Sequence, residues 1–456
     1  MRLASCVLRL AFGVLRSAFS VSRTTHAPRP AFGADSLSPS VPLRPVRMGS
    51  RKTPGGDVKR VLVWTAVFMG LSLAQVEVSF WHAMDGPAGR AIDEFAKEFN
   101  GRQREFRVAP RYVGDYREAE SRLVAALRSG SGPTLFQSEV VFFPKLVAEG
   151  SAVALDEAVA AVPKALTDDL YEAAWEYGVI GGKRYGLPFN TSTPVLFFNE
   201  NQLRAKGLKV PATWAEFGNV ARALTSRSSK GFIALSESWT FEAMVTSRGG
   251  NLVTRDGRPA FTSKEVVEAL EFLQDLSKGG FITTRNLAES TFAQLDFVRT
   301  KGMMVFASIA NWPAAENFSF AFKLGVAPVP REPGGKVPLG GAQLVVVKGA
   351  RPEEVRGAVE FWKYLMEPEV VARWVQASYY VPLRKSATPL LEKFYRENPY
   401  RKVAFEQIAY AQPRPRVPQF ATWRNFLEEA LERALKGGVP ARQALEEAQR
   451  KAEAVR

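Results

Sequence analysis

The chain has 456 residues, 46% hydrophobic and 23% charged, a globular composition long enough for one large two-part unit or two to three ordinary domains. One cysteine, Cys6, and two histidines, His26 and His82, exclude thiolate zinc sites, disulfides and any histidine-based catalytic set that does not rest on His82. The formal charge of +15 would suggest nucleic acid, but residues 1–47 hold a net +6 and residues 48–74 a net +3, and the rest is spread without the basic stripe that phosphate tracking needs.

Residues 61–74, VLVWTAVFMGLSLA, form the most apolar run. Arg51, Lys52, Lys59 and Arg60 precede it, and Ser72-Leu73-Ala74 ends it with small residues at the −3 and −1 positions. A charged lead, a 14-residue apolar core and a small-x-small ending describe a secretory signal peptide over 48–74, with Met48 as a natural start. Residues 1–47, rich in Arg, Ser, Pro and Ala, are expected to be a non-native or disordered upstream extension.

From residue 75 the pattern alternates. Val76–Phe80 reads as a strand, 88–99 as an amphipathic helix stopped by Asn100-Gly101, Phe106–Tyr112 as a strand, 116–128 as a helix, and Thr134–Val140 as a strand before a short helix over 143–149. This predicts an α/β fold with a largely parallel sheet. The turn-rich stretch Tyr185–Asn199 predicts a crossing into a second lobe. Thr213 followed by Glu216 predicts a capping box and a helix to about Ser226. Lys301–Phe306 reads as a strand returning to the first lobe and Leu344–Val347 as another strand; the last hundred residues read mostly as helix, over 352–366, 368–377, 388–396, 422–435 and 439–455. The expected division is lobe one over 75–189 plus 299–346 and lobe two over 190–298 plus 347–456.

Several segments together resemble the solute-binding proteins of carbohydrate-type ABC importers, the maltose-binding superfamily. Thr213-Trp214-Ala-Glu-Phe217 resembles its TWxEF helix start, Lys301-Gly-Met-Met its GxxAM strand, Tyr380-Val-Pro382-Leu-Arg384-Lys-Ser386 its closing GYxPxRKS stretch, and Val439–Leu445 its final helix. Within the superfamily, Phe80-Trp-His-Ala-Met-Asp-Gly86 and Pro188-Phe-Asn-Thr-Ser-Thr-Pro-Val195 are similar to the opening and hinge of the glycerol-3-phosphate and glycerophosphodiester binders. The resemblance spans about residues 76–456. It implies a two-lobed periplasmic-binding-protein fold with a ligand cleft between the lobes, and a transport role without catalysis, cofactor or metal. Its partners would be a small polar solute and the transmembrane subunits of an ABC permease, with no nucleic acid, and the protein would be a secreted monomer of the periplasm or cell envelope.

The candidate ligand residues are Trp81, Tyr116, Glu139, Ser192, Trp239, Ser308, Trp312, Gly341, Tyr380 and Arg424. Trp81 follows the first strand, where ligands of open α/β sheets sit; a packed aromatic is the plain alternative, as a satisfied core histidine is for His82. Tyr116 opens a helix, where the dipole favours an anion. Glu139 ends a strand and could accept from hydroxyls. The resemblance makes Ser192, Ser308 and Gly341 hydrogen-bond donors, against ordinary turn chemistry. Trp239 and Trp312 offer aromatic faces, or else core packing. Arg424 matches the family's phosphate-binding arginine, with Arg414 and Arg416 as competitors; a planar fork suits phosphate as a lysine does not. The function expected is capture of glycerol 3-phosphate or a glycerophosphodiester by hinge closure. A neutral mono- or oligosaccharide is the alternative, and a secreted hydrolase a further one that no carboxylate pair or metal cluster in the sequence favours.

Overall fold

A computed structural model describes residues 75–318 and 321–455, which belong to one compact unit. The expected signal peptide and upstream extension lie outside the described residues. The strands are β1 (Val76–His82), β2 (Phe106–Tyr112), β3 (Leu135–Glu139), β4 (Val179–Ile180), β5 (Lys183–Arg184), β6 (Leu187–Ser192), β7 (Pro194–Asn199), β8 (Phe232–Ser236), β9 (Ile282–Asn286), β10 (Met304–Ser308), β11 (Leu324–Ala327), β12 (Val337–Val346) and β13 (Ala411–Pro413). The helices that carry the argument are α1 (Gly86–Arg102), α2 (Tyr116–Arg128), α3 (Trp214–Leu224), α4 (Ser238–Thr246), α5 (Lys264–Lys278), α6 (Pro352–Leu365), α7 (Pro368–Ser378), α8 (Phe420–Leu435) and α9 (Ala441–Glu453).

Two sheets organise these elements. The first runs β13-β12-β3-β1-β2, with β6 also paired to β12; the second runs β11-β7-β10-β8-β9. Both are mixed, which corrects the expectation of a largely parallel sheet: β1 is parallel to β2 and β3, but β12 is antiparallel to β3 and β6, and β7 is antiparallel to β10 and β11. The chain leaves the first sheet after β6, lays down β7 to β11 in the second, and returns to the first through β12, which runs against β3 and β6.

The hinge motif folds as the sequence suggests. Pro188 and Asn190 lie on β6 in the first sheet, Pro194 opens β7 in the second, and Thr193 alone joins them. Its groups are tied down: Gln407 donates to Thr193 Oγ1 at 2.8 Å and Val381 N–H donates to the Thr191 carbonyl at 3.0 Å. The Thr213 box at the start of α3 is present in full.

Two expected lobe memberships are corrected. The strand 304–308 pairs with β7 and β8 in the second sheet; the strand that returns to the first is β12. Helices α6 and α7, expected on the second lobe, join the core of the first sheet: Phe361, Trp362 and Trp374 pack with Phe80, Phe95 and Phe189. The second sheet is covered on one face by α3, α4, α5, α8 and α9, whose buried residues form one cluster with Phe232 and Phe306. On its other face Val195, Phe197, Ile233 and Val305 pack with Trp312 and Val403.

Candidate functional site

The end of β3, the interior of β6 and the middle of β12 place Glu139, Asn190 and Ala342 in one row. Side chains two apart on a strand share a face, so Gln137 stands beside Glu139. Around Gln137 lies a neutral cluster. Its amide donates to Asn190 Oδ1 at 2.9 Å and to the Tyr116 hydroxyl at 3.3 Å, and it accepts from Ala83 N–H at 2.9 Å. Asn190 donates to the same hydroxyl at 3.2 Å. Tyr380, stacked on Trp374 with centroids 5.8 Å apart, faces the Tyr116 hydroxyl and reaches Met84 Sδ at 3.8 Å. Burial holds the Tyr116 phenol well above the ordinary range and pushes Tyr380 up to about 12, so both remain protonated donors at neutral pH.

Next to it lies a charged network that spans the two sheets. Arg424, on α8, donates to Glu139 Oε2 at 2.5 Å and to Glu120 Oε2, on α2, at 2.6 Å. Arg414, just after β13, donates to Glu139 Oε1 at 2.9 Å and to Glu242 Oε2, on α4, at 2.8 Å. Both arginine side chains are only 4% exposed, so the pairs work at low effective dielectric. Burial would raise the Glu139 carboxyl, but Arg424 and Arg414 outweigh it and hold the group below its ordinary value. Glu242, against one arginine only, is raised by its burial. Three buried donors in this region have no acceptor: Arg414 Nη2, Arg424 Nε and Trp239 Nε1.

Two glycines let the backbone of β12 pass through this crowd. A Cβ on Gly340 would stand 2.6 Å from the Trp239 ring and 3.0 Å from Ser192 Oγ, so these three groups are in contact. Gly341 has φ +118°, and a Cβ there would stand 2.0 Å from the Asn190 carbonyl. A side chain at Gly341 would push the hinge strand away, and one at Gly340 would run into the Trp239 ring.

The family described as bacterial extracellular solute-binding protein matches residues 90–403, well over half of the chain. The chain belongs to that family. Its members bind solutes and are not enzymes, and their work is delivery to ABC importers. Over 399 residues this solute-binding protein is 28% identical to the sn-glycerol-3-phosphate-binding periplasmic protein UgpB of Yersinia pestis, covering 81% of this chain and 89% of that one. UgpB of Escherichia coli is 27% identical over 423 residues, with 84% and 94% covered. In fold, UgpB of Mycobacterium tuberculosis, solved with glycerophosphocholine, superposes with a TM-score of 0.76 at 21% identity over 83% of this chain and 97% of that one. The GacH receptor of Streptomyces glaucescens, solved unliganded and with acarbose, gives 0.74 at 22% identity over the same shares. The fold is that of periplasmic binding proteins.

Of the ten residues expected at the solute site, Tyr116, Glu139, Ser192, Trp239, Gly341, Tyr380 and Arg424 come together around the row at the end of β3. Ser308 lies opposite Pro194, beside the hinge, and its hydroxyl accepts from Ala310 N–H at 3.2 Å. Trp81 is half-buried with the Arg111 guanidinium 5.6 Å from its ring. Trp312 lies apart from this row: it is 1% exposed, stacked on Tyr379 at 5.5 Å, and packed in the cluster on the second sheet's other face. His82 is a satisfied buried histidine that accepts from Met84 N–H at 3.3 Å, and burial lowers it to about 4. Asp115 caps α2 and Glu118 sits in its first turn, so the helix start is already matched by acids, and what Tyr116 presents to the cluster is its hydroxyl. Of the competing arginines, Arg414 belongs to the site, while Arg416 is exposed and donates to the Tyr177 and Val179 carbonyls.

The sequence reading missed Glu120, Gln137, Asn190 and Glu242. Glu120 stands one turn after Tyr116 on α2, a spacing that puts both on one face. Asn190 lies inside the hinge motif itself. Glu242 had no signal, since its burial depends on Arg414 arriving from 172 residues away. Among the described residues no group of His, Cys, Asp and Glu is arranged to hold a metal ion, and no helix is long and apolar enough to cross a membrane.

Proposed function

We propose that this solute-binding protein captures glycerol 3-phosphate or a glycerophosphodiester between two lobes built on the two sheets, and hands it to the transmembrane subunits of an ABC permease. The protein would act as a monomer in the periplasm or cell envelope. The observation that carries the reading is the pair of buried arginines beside Glu139, with Arg414 Nη2, Arg424 Nε and Trp239 Nε1 all lacking acceptors. Guanidinium donors facing a phosphate form the stronger, charge-assisted class of hydrogen bond. Glu139, Tyr116 and Tyr380 would then accept from and donate to glycerol hydroxyls. The Yersinia and Escherichia relatives, named for binding sn-glycerol 3-phosphate, agree with this chemistry. In this mechanism the solute bridges the lobes and selects the closed arrangement across Thr193.

One observation favours a neutral sugar instead. Three carboxylates, Glu120, Glu139 and Glu242, already face the two arginines, so a phosphate would enter a site without excess positive charge. Thermal-shift screening against glycerol 3-phosphate, glycerophosphocholine, maltose and free glycerol separates the two. A ligand at a hundredfold excess over its Kd adds about 2.7 kcal/mol of stability. The phosphate reading expects that shift from one of the two phosphorylated compounds; a shift from maltose with none from either of them would replace it with the sugar reading.

A further inference from the structure

We propose that Glu120 is the specificity residue of the cleft: its carboxylate holds on Arg424 the place a solute's phosphate would take, so that an anionic solute binds by displacing it and taking up a proton. The proposal rests on the cleft reading above and adds a residue that decides how much of the Arg424 charge a solute can use.

Geometry singles out Glu120 among the three carboxylates. Glu139 is gripped by both arginines and stands on a strand end, where it cannot leave without stripping two cations. Glu242 touches Arg414 alone and lies on α4, away from Arg424. Glu120 binds Arg424 through Oε2 only, and its buried Oε1 has no hydrogen-bond partner. Glu242 too is held through one oxygen, but to Arg414; Glu120 is the carboxylate that sits on Arg424 by a single contact and has a buried oxygen left without a partner.

Glu120 also has somewhere to go. A groove of about 400 Å³ between α2 and α8 is lined by Arg117, Glu120, Ser121, Lys145, Asn425 and Glu428. A turn toward that groove, with the carboxyl still covered between α2 and α8 beside Glu139, would leave the Arg424 fork to an incoming phosphate. The groups that face Glu120 are Arg424 and Glu428 on α8, Glu139 at the end of β3, Arg117 on its own helix and Lys145 beyond β3. Arg117 is already spoken for by Glu428 at 2.9 Å and Asn425 at 2.9 Å. Burial pushes the Glu120 carboxyl up to about 7 even with Arg424 opposing the shift. Without Arg424, and with a phosphate and Glu139 as neighbours, the charged form loses its main support. A proton then moves from solvent to Glu120 as the ligand binds, and the phosphate meets Arg424 with one negative charge fewer beside it.

Isothermal titration calorimetry with glycerol 3-phosphate at pH 8, in two buffers of different ionisation enthalpy, reads this directly. At that pH the ligand phosphate, with a second pKa of about 6, is already a dianion. The wild type should take up close to one proton per ligand, and its affinity should fall by up to roughly tenfold per pH unit above pH 7. Glu120→Gln keeps the shape and removes the charge; it should bind about tenfold tighter or better, with no proton uptake and a flat pH profile. If the wild type binds glycerol 3-phosphate with no uptake, or Glu120→Gln binds it no tighter, the role of Glu120 is wrong while the phosphate reading stands. If the wild type binds only maltose and Glu120→Gln gains glycerol 3-phosphate, the phosphate reading is wrong and the role of Glu120 stands. No phosphate binding by either protein overturns both. Should the variant fail to fold, proton uptake by the wild type decides alone.

Discussion

The neutral cluster and the charged network lie side by side at the end of β3 but are built to opposite rules. Tyr116, Gln137, Asn190 and Tyr380 come from α2, β3, β6 and the loop after α7, all packed on the first sheet, and they bond to one another with neutral groups. The network of Glu120, Glu139, Glu242, Arg414 and Arg424 joins the first sheet to helices α4 and α8 of the second and leaves donors unpaired. Neutral, mutually satisfied groups fix a shape at low cost. Buried charges are retained only while their partners stay in place. On the function proposed above, the first region would set the shape of the cleft and the second would carry closure and charge recognition.

The most severe way to break this contrast is to remove a cation that two carboxylates depend on. Arg414→Ala leaves Glu242 and one oxygen of Glu139 buried without a cation, and stability should fall by about 3–5 kcal/mol in thermal unfolding. Near-normal unfolding of this variant would mean that the network relaxes as freely as a surface pair.

On the first-sheet side, His82 gives the neutral region its own pH signature. Its folded-state pKa of about 4 lies below the ordinary 6.5 because burial disfavours the imidazolium. Below pH 6.5 the unfolded chain therefore binds a proton that the folded chain refuses. Stability is fully present above that pH and is lost as pH falls toward 4, by about 3 kcal/mol at most. Chemical denaturation between pH 7 and 4 should display this loss, and His82→Gln should flatten it.

Arg424→Ala should weaken glycerol 3-phosphate binding by roughly tenfold to a hundredfold, since hydrogen bonds to charged groups contribute about 1.5–3 kcal/mol. Arg424→Lys should recover part of it, keeping charge but losing the fork. Calorimetry with maltose in parallel sharpens the result: a sugar affinity unchanged by Arg424→Ala, with no phosphate binding in the wild type, would transfer the protein to the sugar alternative.

Tyr380→Phe is the mildest test. It removes one neutral hydroxyl and leaves the stack on Trp374, so affinity should drop by no more than about tenfold, at 0.5–1.5 kcal/mol for a neutral hydrogen bond. A loss as large as that of Arg424→Ala would erase the division between the two regions.

The sequence alone determined the local structure and the hinge. The alternation of strands and amphipathic helices, the Thr213 box and the two prolines flanking Asn190-Thr-Ser-Thr193 depend on neighbours a few residues apart, and such signals survive in one dimension. The expectation that Tyr116 and Arg424 belong to the solute site came from the family resemblance and not from local pattern. Tertiary structure decided the rest. An apolar strand such as 304–308 reads the same in either sheet, because its pattern records burial and not the partner. Glu120 reads as one more acid on an amphipathic helix until α8 arrives from some 300 residues away and buries it against Arg424. Arg414 and Arg416 are two residues apart with the same chemistry, yet one is buried between carboxylates and the other lies on the surface. Electrostatic roles belong to positions in space, since the energy of a charge is set by the dielectric and the partners around it, and neither is written in the residue itself.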